Sequence, residues 1–76
     1  MRVTIEAPHS ANVRVAIHDA SGRLRRVLKS GTIDAGTTRL IWDGSDDRGG
    51  LVGSGVYFVS LSGPDVRIAR KVVRLQ

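Results

Sequence analysis

Apolar and polar residues alternate along this chain in short runs, each broken by turn-forming residues. The cleanest run is 12–19, where Val13, Val15 and Ile17 fall on one side and Arg14, Ala16 and His18 on the other. A strand with one buried face needs that period of two. Residues 2–6 repeat it, with Val3 and Ile5 against Arg2, Thr4 and Glu6, before Pro8 and Ser10 interrupt; a first strand at a sheet edge is predicted. Thr38, Leu40 and Trp42 share one face of a run from Thr37 to Trp42. Residues 56–61 are apolar on both sides, Val56 and Phe58 against Tyr57, Val59 and Leu61, which predicts a central strand covered on both faces. A last strand is predicted from Val66 to about Leu75; with Ile68 and Val72 opposite Ala69, Val73 and Leu75, the pattern leaves its register undefined.

Residues 23–29 fit two periods, since Leu24, Val27 and Leu28 also mark a helical face. Length decides. Only eight residues separate Gly22 from Gly31, too few to nucleate a stable helix, whereas a strand with a bulge near Arg25 or Arg26 turns Leu24 and Leu28 inward. Asp19-Ala20-Ser21-Gly22 offers a carboxylate to bond the turn's own backbone and a glycine for positive φ, a hairpin signal. Ile33 stands alone before the Asp34-Ala35-Gly36 turn, and Ser62-Gly63-Pro64-Asp65 predicts the last hairpin. Asp43 to Gly55 reads as loop, within which Leu51-Val52 forms either a short strand or a plug for the core. The sum is all-β: an antiparallel sandwich of about seven short strands with no helix, filling residues 1–76 as a single domain. A small five-stranded barrel is the competing architecture.

With 76 residues there is room for one core, and without cysteine neither a disulfide nor a thiolate metal site reinforces it. Trp42 is the largest side chain available to that core, and its loss is expected to cost about 3–5 kcal/mol. The net charge of +5 arises from ten Arg and two Lys against seven acids, a surface that attracts polyanions without specificity. Specific nucleic-acid binding is not expected, because Trp42, Tyr57 and Phe58 are all assigned to the core and leave no stacking platform. No apolar run approaches the ~20 residues of a membrane helix, so no membrane insertion is expected.

Catalytic chemistry finds little support. The loop Asp43-Gly44-Ser45-Asp46-Asp47-Arg48-Gly49 gathers three carboxylates, yet Arg48 stands where a calcium loop needs glycine and the distal bidentate Glu is missing. The alternative is that Asp43 and Asp46 bond loop amides while Asp47 pairs with an arginine. His9 and His18 have no companions to complete a zinc site. No serine lies in a nucleophile elbow, and the Gly49-Gly50 and Gly53-Ser54-Gly55 stretches lack the lysine and helix of a phosphate cradle. The expectation is no enzyme, no cofactor and no metal.

Taken in order, the run from Val13 through Asp19 and Gly22 to Arg23, then Ala35-Gly36, Trp42-Asp43-Gly44 and Ser54-Gly55-Val56-Tyr57-Phe58 closely resembles the Ig-like domain of the bacterial flagellar hook-capping, FlgD-type, family. The same set is similar to the C-terminal sorting domains of type IX secretion cargo. This resemblance implies a seven-stranded Ig-like sandwich without catalytic residues, in which Asp19, Gly22, Gly36, Trp42, Asp43, Gly44, Gly55, Tyr57 and Phe58 are motif positions. The basic, valine-rich tail favours the sorting branch. That branch implies a C-terminal module cut from a longer protein, recognised by secretion machinery through Arg70, Lys71, Val72, Val73 and Arg74, and carried with its cargo to the cell surface. The hook-capping branch implies instead a scaffold for hook subunits, and an adhesion or spacer module is the third reading. In each case the partner is a protein, and the isolated domain is expected to be soluble and monomeric. Arg25 departs from the family pattern, which usually places an apolar residue soon after the Gly-Arg turn.

Overall fold

The computed structural model describes residues 1–64 and 66–75, so Asp65 of the expected last hairpin and the terminal Gln76 lie outside the described residues. Six strands form among them: β1 (Arg2–Ala7), β2 (Ala11–Asp19), β3 (Leu24–Ile33), β4 (Gly36–Ile41), β5 (Gly55–Ser62) and β6 (Arg67–Arg74). All pairings are antiparallel. One sheet runs β3-β2-β5-β6, and β1 pairs with β4 in a second, two-stranded sheet. Two separate sheets make an Ig-like sandwich rather than a barrel.

Alternation explains the core. Val13, Val15 and Ile17 project from β2 onto Ile5, Ile33, Trp42, Val52, Tyr57 and Val59, with Val15 and Ile17 wholly buried. Ala16 is buried as well, although it faces away from this core, because its methyl is too short to emerge between the flanking strands.

Several expectations change. Leu51-Val52 makes only a single bridge, Leu51 to Ser45, and does not become a seventh strand; Val52 is buried as a plug while Leu51 stays exposed. The third strand extends through Gly31 to Ile33, because Ala11, Asn12 and Val13 of β2 pair with Ile33, Thr32 and Gly31 and this pairing outweighs the glycine. Two bulges interrupt that pairing. Val15 faces Lys29 and Ala16 faces Val27, leaving Leu28 extra; Ile17 faces Arg26 and His18 faces Leu24, leaving Arg25 extra. Leu24 therefore shares the outer face with His18 and is exposed, not inward as the pattern predicts. β5 is central, but only Tyr57, Val59 and Leu61 face the second sheet; Phe58 lies half-buried on the other side, which no strand among the described residues covers.

Candidate protein-interaction surface

The segment from Trp42 to Gly55 is held by its own side chains. Trp42 donates from Nε1 to the Ser45 carbonyl (2.9 Å) and meets Tyr57 edge-on, with ring centroids 5.5 Å apart. The Tyr57 hydroxyl donates to the Gly53 carbonyl (2.7 Å), and Gly44 accepts from the Val52 amide (2.8 Å). Asp43 accepts from both the amide and hydroxyl of Ser45, and these bonds, helped by the Arg26 charge, pull its carboxyl below the usual range. Asp46 accepts from the amides of Arg48 and Gly50. Asp47 accepts from the Val27 amide (3.3 Å), not from an arginine as predicted. Each loop carboxylate is thus turned toward the chain itself, and among the described residues no group of three acids or histidines converges on a point.

The Asp19 turn follows the same logic. Its Oδ1 accepts from the Ser21 amide and hydroxyl and from the Arg23 amide, while Gly22 closes the turn at φ +88°. These bonds, the Ser21 hydroxyl foremost, hold the Asp19 carboxyl at about 2. Arg25, the residue that breaks the family pattern, is a bulge residue and reaches Asp19 Oδ2 at 3.5 Å. Gly36 adopts φ +101° at the start of β4, and Gly55 opens β5 beside the Tyr57 ring.

Strand β6 divides its side chains between two faces. Val72 pairs with Tyr57 and packs partly against the core. Arg74 lies over the Trp42 ring, 5.9 Å from its centroid, and donates from Nε to the Val52 carbonyl (3.4 Å). Arg70, opposite Val59, also belongs to the inward row yet is exposed, whereas Lys71 and Val73 point outward.

On that outward face the register aligns Leu24, His18, Phe58 and Lys71 in one row, with Val56 and Val73 in a neighbouring row. Leu24, Val56 and Val73 are exposed and Phe58 is half-buried, so an apolar strip with a cationic rim crosses the four-stranded sheet. Assigning Phe58 to the core hid this strip; the signal in the sequence was its odd spacing from Tyr57.

Among the described residues the chain is thus an Ig-like sandwich that carries an exposed apolar strip across its four-stranded sheet. The chain belongs to the FlgD Ig-like domain family, whose model matches residues 1–65. A crystal structure of FlgD from P. aeruginosa is similar to it, with a TM-score of 0.72 and 23% identity, over 95% of this chain and 57% of that one. The chain therefore spans little more than half the length of the FlgD structure it matches. No curated protein sequence matches significantly. These findings overturn the type IX sorting assignment. It rested on the basic, valine-rich tail, and charged side chains are a common feature of exposed edge strands, where they discourage unwanted pairing.

Proposed function

We propose that the chain is a non-enzymatic scaffold module of the flagellar hook-capping kind, acting at the cell surface within a longer protein and contacting neighbouring protein subunits. Its membership of the FlgD Ig-like family over residues 1–65 carries this reading. The outward strip of Phe58, Val56 and Val73 supplies a surface suited to such contacts. In a strain lacking its hook cap, a hook-capping protein whose Ig-like domain is replaced by this chain restores hooks visible by electron microscopy. Absence of hooks, while a control carrying the original domain regrows them, overturns the proposal.

A further inference from the structure

The two layers of the sandwich are unequal, and the mismatch falls at one place. β4 touches β3, and Val3 and Ile5 of β1 look onto Val15, Val59 and Leu61, so the two-stranded layer covers β3, β2 and part of β5 and stops short of β6. Beyond the free edge of β1, the first part of the inward row of β6, Ile68 and Arg70, is exposed, whereas Val72 packs partly against the core and Arg74 lies over Trp42. Ile68 in that row is 40% exposed and Val66 just before it 37%. Two cavities of about 450 and about 180 Å³ run along this flank and share Ile5, Glu6, Leu61 and Ile68, so they form one groove. One wall is the unpaired backbone edge of β1, the floor is apolar, and Arg70 lines the shallower end.

From this geometry we infer that the groove accepts one extended strand of a partner protein, added to the free edge of β1, with apolar side chains directed onto Leu61 and Ile68 and a carboxylate opposite Arg70. The inference rests on the reading of the chain as a protein-contacting module. An added strand satisfies the unpaired N–H and C=O groups of β1 while burying the exposed Ile68 of β6. Asp47 already takes up part of the outer edge of β3, bonding the Arg25 carbonyl and the Val27 amide, and at the outer edges of β4 and β6 a new strand gains backbone bonds but has no facing layer to cover. Charge sets the preference. Among the described residues Arg70 has no hydrogen-bond or ion-pair partner, and Glu6, which lines the same cavity from β1, has none either. A second copy of the chain does not fit: continuing one sheet across a two-fold axis keeps both four-stranded layers on the same side, where each enters the other's volume.

The test uses the 76-residue chain and short labelled peptides alternating serine with valine, identical except for aspartate, asparagine or lysine at one central valine position. Fluorescence anisotropy is expected to rank aspartate first, with asparagine about threefold weaker and lysine about tenfold weaker, the scale of a solvent-accessible ion pair. Arg70→Glu, at an exposed position, reverses the order, and bound peptide slows amide exchange in β1. Equal affinities, absence of binding by all three peptides, protection of β3 or β6 instead of β1, or a dimer of the free chain in sedimentation each overturn the inference. Hook restoration is scored independently, so loss of peptide binding with hooks restored removes the groove and leaves the scaffold reading standing.

Discussion

Gly44 meets two demands that no residue with a Cβ meets together. Its φ is +85°, and a Cβ at this position would run into the Arg74 guanidinium, which lies against the loop while covering Trp42. Gly44→Ala is therefore expected to cost about 1–3 kcal/mol from backbone strain and to displace Arg74 as well. Arg74→Ala alone loses the ring contact, about 0.5–2 kcal/mol. Urea unfolding of both single variants and the double variant will show less than additive loss, because the two changes remove the same contact. Asp19 gives a pH signature. Its folded-state carboxyl titrates near 2 against an ordinary 3.8, so as the pH falls the unfolded chain takes up the proton first. The stabilisation is complete above about 4 and drains away toward about 2. Asp19→Asn is expected to flatten the pH dependence of the urea midpoint across that window, and an unchanged slope would refute the turn bonding as its cause.

At the scale of elements, Leu51 and Val52 separate by role. Val52 is almost fully buried and Leu51 is 71% exposed, although both carry similar apolar side chains. Val52→Ala is expected to cost about 1–3 kcal/mol and Leu51→Ala within about 0.5 kcal/mol, measured as shifts in thermal unfolding. Equal effects would mean that the pair acts as a strand. This distinction was not legible in the sequence, where two adjacent apolar residues between glycines fit either a strand or a plug. β2 was legible because its alternation is strict and both neighbours depend on it. β3 was legible only as a bulged strand. Its second bulge at Leu28, its passage through Gly31 and the outward turn of Leu24 come from pairing with β2, which a local pattern does not contain. For the same reason the acidic loop could be read as self-bonded, since Asp prefers nearby amides, but the docking of Asp47 on β3 required long-range geometry. The Phe58 strip was missed because β5 is apolar on both faces and periodicity alone does not say which face a second layer covers.

For the whole molecule, unequal layers mean unequal stability. β2 and β5 each have a paired strand on both sides and contribute Val15, Ile17, Tyr57 and Val59 to the core. β1 and β4 pair only with each other, so each has one free edge and the two-stranded sheet can lift away without breaking a bond of the four-stranded one. Trp42, just beyond β4, resists this. It is 1% exposed and its amide donates to the Met1 carbonyl, tying the end of β4 to the start of β1 over the core. Native-state amide exchange should therefore place β2 and β5 at the limit of global unfolding and β1 and the first half of β4 at least about tenfold faster, with protection rising toward Trp42. Trp42→Ala is expected to remove that gradient before it abolishes the slow exchange of β2. Uniform protection across all six strands in the unmodified chain would show instead that the sandwich opens as one unit and that the free edge of β1 lacks the local freedom an incoming strand would exploit.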